Sequence, residues 1–230
     1  MRILALSLDL DDTLWPVAPA IQLAERALDD WLRRHHAAVA ERWPIAALRE
    51  LRDQVSAERP DLAHDFTAQR LLTLQHAFAS CGFGDEHVEA AFEVYFQARN
   101  RVECYADVAP ALAALSARLP LVSISNGNAD LARIGLRGHF AHCISAREFG
   151  AAKPDAAIFH DACARLGVAP EHVLHIGDDA HLDVVGAHRA GLRTAWINRH
   201  DAAWTHAEVE PDLHLRDLDE LVRWIDRRAA

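Results

Sequence analysis

Apolar residues recur with two different rhythms in this 230-residue chain. Ile3-Leu4-Ala5-Leu6-Ser7-Leu8 is a short apolar run that ends in the acids Asp9, Asp11 and Asp12, as expected of a strand buried inside a parallel sheet. From Pro16 to about Asn100 the spacing is helical throughout. Ile21, Leu28 and Leu32 share one face of a first helix, and Pro44 suits the first turn of a second, with Ile45, Leu48 and Val55. Phe66 to Ala79 reads as a third, stopped at Gly82, and Gly84-Asp85 precedes a fourth that carries Val88, Phe92, Tyr95 and Phe96. Four amphipathic helices in a row predict a small bundle.

From about Val102 strand-like and helix-like stretches alternate. Strands are expected over Leu119 to Ser125, His142 to Ser145, Val173 to Gly177 and Thr194 to Ile197. Helices are expected over Asp155 to Leu166 and Leu182 to Ala190, each followed by glycine, and from a cap at Asp217 to about Arg227. Such alternation implies an α/β fold with a parallel sheet covered on both faces. The first strand precedes the helical block and the others follow it. The simplest organisation is therefore a core of residues 1–15 and 101–230, interrupted by an inserted four-helix cap at 16–100.

Composition adds exclusions. A net charge of −10 argues against non-specific binding to nucleic acid or anionic lipid. The N-terminal apolar run is too short for a signal core, and no stretch reaches the ~20 apolar residues of a membrane helix. Cys81, Cys104, Cys143 and Cys163 form no CxxC motif and read as reduced thiols of a cytoplasmic chain. The 24 basic residues include a single lysine, Lys153.

In open parallel sheets, ligands bind beyond the carboxyl ends of the strands. There the sequence sets Asp9, Asp11, Asp12 and Thr13 after the first strand, and Ser125-Asn126-Gly127-Asn128 after the second. Gly177, Asp178, Asp179 and then Asp183 follow the Val173 strand, and Lys153-Pro154 precedes the helix that leads to it. Crowded carboxylates need a cation or a proton between them. Oxygen ligands suit Mg²⁺, lysine suits a phosphate, and a hydroxyl with the N–H groups of a glycine turn adds donors. The set reads as a phosphoryl-transfer site, with Asp9 and Asp11 dividing the work of nucleophile and general acid–base. Both can face that site only if the chain turns between them.

These residues carry a family resemblance. Asp9-Leu10-Asp11-Asp12-Thr13 resembles the DxDxT motif of the haloacid dehalogenase-like hydrolases, and Ser125-Asn126-Gly127, Lys153-Pro154 and Gly177-Asp178-Asp179 through Asp183 resemble the other three motifs in order. The resemblance implies a Rossmann-like core and a cap of the C1 type. It implies Asp9 as a nucleophile forming an aspartyl-phosphate, Asp11 as acid then base, and Ser125, Asn126 and Lys153 around the phosphoryl group. Mg²⁺ would be held by Asp9, the main-chain carbonyl of Asp11 and Asp178, with Asp183 supporting the metal or Lys153 from behind. Asp179 competes with Asp178 for the ligand role. More narrowly, these motifs and the stretch from Pro60 to Asp65 resemble bacterial phosphatases acting on 5-amino-6-(5-phospho-D-ribitylamino)uracil and FMN. The implied partner is thus a small phosphorylated metabolite, and Trp15, His64, Asp65 and Arg70 are candidates for choosing it, with Trp15 at the entrance of the pocket.

Alternatives on the same fold are haloacid dehalogenation and sugar-phosphate mutation; a phospho-signalling or partner-binding module is the non-enzymatic one. Dehalogenases resemble DxYxT at the first motif and lack the second acid, so Asp11 weighs against the first.

Overall fold

The computed structural model describes residues 2–229. The chain divides into two compact units. One comprises the residues up to Pro16, Glu103–Gly127 and those from Leu131 onward; the other comprises Val17–Val102 with Asn128–Asp130.

The first unit is built on six strands: β1 (Ala5–Leu8), β2 (Leu121–Ser125), β3 (His142–Ser145), β4 (Val173–Gly177), β5 (Arg193–Ile197) and β6 (Leu213–Leu215). They form one sheet in the order β3-β2-β1-β4-β5-β6, with all neighbours parallel. This is the expected α/β, Rossmann-like core. All four residues of β1 are buried, as are all five of β2 and of β4, which explains why they read as continuous apolar runs. β1 and β4 lie side by side at the centre, so the acids after them emerge at one sheet edge.

The second unit holds α1 (Val17–His35), α2 (Ala37–Arg42), α3 (Ile45–Glu58), α4 (Phe66–Ala79) and α5 (Val88–Arg99). The four-helix expectation therefore needs a correction: four long helices are present, but α2 is a fifth, one and a half turns long and invisible to an amphipathic scan. Pro44 is the extended residue just before α3, and Gly82 takes the left-handed φ of 80° after α4. Leu28, Leu32, Leu74, Phe78, Phe92 and Tyr95 fill the interior.

The core's helices are α6 (Val108–Ser116), α7 (Leu131–Ile134), α8 (Ala146–Phe149), α9 (Ala156–Leu166), α10 (Gly186–Arg189) and α11 (Leu218–Ala229). α9 packs on β2 and β3, and its Ile158 and Phe159 join Ala5, Val122 and Ile144 in one buried cluster. Asp155 caps α9 through Ala157 N, and Asp217 caps α11 through Glu220 N. The stretch expected as one helix from Leu182 to Ala190 is instead a π-helical segment, Ala180–Val185, that runs into α10. π-Segments concentrate at functional sites, and this one carries Asp183.

One ion pair ties the core's loops together. Arg199, just past β5, makes paired hydrogen bonds of 3.0 and 2.9 Å to Asp107 and lies over the Tyr105 ring at 3.9 Å. The same guanidinium donates to the Thr13 carbonyl, and Asp107 also accepts Leu218 N at the start of α11. The two side chains are only 9% and 11% exposed. Removing one partner strands a buried charge, so Arg199→Ala should lower unfolding stability by roughly 3–5 kcal/mol. Urea denaturation measures this, and a loss under ~1 kcal/mol would show that the pair is solvated in solution.

Candidate active site

β1 ends at Leu8, and the chain turns at once. Leu14 N bonds Leu10 O, Asp12 N bonds Trp15 O, and Asp12 adopts a positive φ of 58°. This is the turn that Asp9 and Asp11 require. Asp9 stays anchored to the sheet through its N–H on Ile176 O of β4.

Lys153 Nζ is at the centre. It donates to Asp9 Oδ1 and to Asp183 Oδ1, each at 2.5 Å, and its side chain is 2% exposed. Its backbone is held on both sides by Asn126: Lys153 N donates to Asn126 Oδ1, and Asn126 Nδ2 donates to Lys153 O. Asn126 is thus the amide that fixes the lysine loop to the turn after β2. In that turn Ser125 Oγ accepts from Gly127 N at 3.0 Å. Gly127 has to lack a side chain, because a Cβ there would sit 2.4 Å from Asp11 Oδ2.

Asp183 is fully engaged. Oδ1 takes Lys153 and His175 Nε2, and Oδ2 accepts Asp179 N. The carboxylate packs so tightly on Gly177 that a Cβ there would lie 2.2 Å from its Cγ. His175 in turn meets Ser7 Oγ through Nδ1 at 2.9 Å, across the β1–β4 register that pairs the two residues. Because Nε2 faces a carboxylate it must donate, so Nδ1 accepts the Ser7 hydroxyl.

Asp178 accepts the Thr13 hydroxyl at 2.9 Å, and its carbonyl takes the Trp196 indole N–H at 2.7 Å. Asp179 faces away: it is exposed and caps the π-helical segment through His181 N and Leu182 N. Of the two competing acids, the fold brings Asp178 into the cluster. Oxygens of Asp9, Asp178 and Asp183 lie within 4.8 Å of one another.

Electrostatics follow from that crowding. Burial raises Asp9 well above the usual carboxylate range, with Asp183 and Asp178 adding to the rise and Lys153 opposing it. Burial, and after it the charge of Asp183, pushes Asp178 up to about 7. Asp183 goes the other way: burial disfavours its charge, but Lys153 and His175 outweigh it. Lys153 is disfavoured by burial yet held above its ordinary value by Asp183 and Asp9. Burial lowers His175 despite Asp183, which keeps the ring neutral. Two acids that resist ionisation side by side are the donor set that a hard divalent cation relieves, so the residues fit one. Asp183, with both oxygens already occupied, is better placed to hold Lys153 than to bind an ion.

Of the four specificity candidates, Trp15 lies elsewhere than expected, while the other three lie at the start of α4 as the sequence placed them. Trp15, expected at the pocket entrance, is completely buried, and its indole N–H donates to Asp11 Oδ1 at 2.8 Å. Asp65 caps α4 by accepting Ala68 N, and His64 lies in the turn before it. Arg70 is buried in the helical unit, 4.3 Å over the Tyr95 ring with a 3.1 Å bond to the Tyr95 hydroxyl. It braces α4 against α5. Sequence reasoning missed Ser7, His175, Trp196 and Arg199. Ser7 and His175 left a signal, being polar positions inside strands that are otherwise wholly apolar.

The chain matches the haloacid dehalogenase-like hydrolase family over residues 3–191 and belongs to it. It is 32% identical over 200 residues to the 5-amino-6-(5-phospho-D-ribitylamino)uracil phosphatase YigB of Escherichia coli, covering 85% of this chain and 84% of that one. It is 34% identical over 153 residues to a phosphoserine phosphatase of Thermus thermophilus, covering 64% and 61%. Among solved structures, a 2-haloacid dehalogenase from Pseudomonas syringae pv. Tomato superposes with a TM-score of 0.92 at 35% identity, covering 99% of this chain and 100% of that one. The protein is accordingly an enzyme of the hydrolase class. No described helix is long and apolar enough to cross a membrane, and all four cysteines are free.

A folded Asp178 that titrates at about 7, against an ordinary 3.8, binds an extra proton across that interval. The metal-free protein therefore loses stability as pH rises through it, and the loss is complete above about 7. A cation competes with this proton. Mg²⁺ should raise Tm more at about pH 8 than at about pH 5.5, and this gain should shrink in Asp178→Asn. Equal gains at both pH values, or full gains in the variant, would place the ion elsewhere.

Proposed function

We propose that the enzyme hydrolyses phosphomonoesters through an aspartyl-phosphate on Asp9, with Mg²⁺ as cofactor. The observation that carries this reading is Asp11, a second carboxylate held in the same turn as Asp9 and facing the Ser125–Gly127 turn. A halide departs as a stable anion and needs no proton. An alkoxide does need one, and a positioned acid supplies it.

Asp9 attacks phosphorus through a carboxylate oxygen, and the bond from phosphorus to the ester oxygen breaks. The leaving oxygen takes the proton of Asp11. Asp11, now ionised, accepts a proton from water as that water attacks phosphorus and frees Asp9. Lys153 and the Ser125–Gly127 turn supply donors for the phosphoryl oxygens. Asp9 and Asp178 would hold Mg²⁺, which would supply positive charge to a bound phosphoryl group. Asp183 keeps Lys153 aimed at Asp9.

The substrate class is a small phosphorylated metabolite. The Escherichia coli relative supports 5-amino-6-(5-phospho-D-ribitylamino)uracil within it, and FMN is the other candidate that the resemblance of the sequence motifs offers. A second reading, dehalogenation of a 2-haloacid, draws on the likeness to the Pseudomonas syringae structure. One assay separates the two: purified enzyme with Mg²⁺ is given ribityl phosphates, hexose phosphates, phosphoserine and 2-chloropropionate, and both phosphate and chloride are measured. Phosphate release, highest for the ribityl esters, is expected; chloride release without phosphate would reverse the assignment.

Asp9→Asn should reduce phosphate release by ~10³-fold or more while the variant stays folded. Thermal unfolding checks the fold. Residual turnover above a few per cent of wild type would mean that the nucleophile is another group.

A further inference from the structure

Tyr105 carries a buried hydroxyl that nothing in the mechanism uses. It belongs to the core unit, in the stretch between α5 and α6. Its Oη is buried and has no hydrogen-bond partner among the described residues. Such a group has given up water and gained nothing, which costs more than a phenylalanine in the same place. The side chain is nevertheless held firmly. Tyr105 N donates to Leu14 O at 3.0 Å, and the Arg199 guanidinium lies 3.9 Å over the ring. Packing and the cation–π contact need only the ring, so the hydroxyl calls for a partner of its own.

The surroundings say what that partner is. Leu14 lies in the turn that follows Asp9, and Arg199 also donates to the Thr13 carbonyl. The Thr13 hydroxyl donates to Asp178. Tyr105 is thus seated on the loop after β1, through which it is linked to Asp178. Burial raises its hydroxyl above the ordinary phenol range; Asp12, Asp178 and Asp107 add to the rise and Arg199 opposes it. The negative charge of the site therefore reaches Oη, whose lone pairs are on offer. Mg²⁺ held by one or two carboxylates keeps several of its waters, and those waters turn their hydrogens outward. They need acceptors beyond the ion's own ligands, and such outer partners govern affinity as well as orientation.

We propose that Tyr105 is a positioning residue whose Oη accepts a hydrogen bond from a water on the Mg²⁺ that Asp9 and Asp178 would hold. This rests on the phosphatase reading above, through its metal. Arg199 then has a second task, since the guanidinium over the ring keeps the phenol in place for that water.

Calorimetric titration of the substrate-free protein with Mg²⁺ tests this without relying on turnover. Tyr105→Phe keeps the ring under Arg199 and removes only the oxygen. The Kd for Mg²⁺ should rise by ~10-fold or more, the usual cost of losing an outer partner at a metal site. The Tm of the metal-free variant should match or exceed that of wild type, because the stranded hydroxyl is gone. A folded variant whose Kd stays within ~2-fold of wild type would overturn the role of Tyr105 and leave the metal reading intact. A rise in Kd accompanied by a large fall in the metal-free Tm would mark a structural role and overturn it too. Wild-type protein that takes up no Mg²⁺ would overturn the metal reading itself. Crystals of the wild type grown with Mn²⁺ give a second result that needs no variant. A water bonded to both the ion and Oη is expected there, and an Oη without such a water would again overturn the proposal.

Discussion

One buried ammonium makes this site possible. Lys153 lies between Asp9 and Asp183, at hydrogen-bond distance from each, in a pocket where water screens almost nothing. Without it, three carboxylates would meet at the ends of the fully buried central strands, and burial would drive protons onto them. The lysine removes only part of that strain, as the raised Asp9 and Asp178 show. The residual deficit of positive charge is what a divalent cation would relieve. In a chain whose other basic residues are all arginine, the exception is intelligible. A planar guanidinium is too broad to reach two carboxylates on a slender stem, whereas an ammonium is a compact point charge.

The rest of the core holds that arrangement still. Asn126 binds the lysine loop from both sides, and Gly177 admits Asp183 by having no side chain. His175 and Ser7 continue the network into the sheet, on strands that register directly. Each buried polar atom along this path finds a partner, which is the condition for such a network to rigidify rather than destabilise. Arg199 performs a similar task for the loop after β1: it holds the Thr13 carbonyl, while the Thr13 hydroxyl holds Asp178.

Much of this was legible in the sequence, for identifiable reasons. β3, β4 and α4 have the bounds read from the pattern, because each is bracketed by glycine, proline or a change of period. The residues of the cluster come from strand ends, where acids after an apolar run are conspicuous. α6 was overlooked because its run Val108–Ser116 is apolar nearly all round and so shows little periodicity. β6 has only three residues, one of them histidine. The π-helical segment kept a helical pattern while shifting its register. Asp179 and Asp178 are adjacent and chemically identical, and what separates them is tertiary: Asp179 caps that segment, while Asp178 takes the Thr13 hydroxyl. Trp15 and Arg70 are bulky residues whose neighbours decide their work. Trp15 was expected as a pocket wall and is a buried donor; Arg70, a specificity candidate, packs on Tyr95 between two helices.

The likeness to both phosphatases and a dehalogenase has a physical basis in what the fold itself fixes. A sheet edge that presents an aspartate beside a buried lysine can attack either phosphorus or a halogen-bearing carbon. The nucleophile does not distinguish them; the leaving group does. In the phosphatase reading proposed above, alkoxide departure is served by a second carboxylate with room beside it, Asp11 against the bare face of Gly127. Both belong to short turns at strand ends, outside the buried strands that determine the fold. A superposition across the whole chain is therefore nearly blind to the difference, whereas a few atoms around Asp11 carry it.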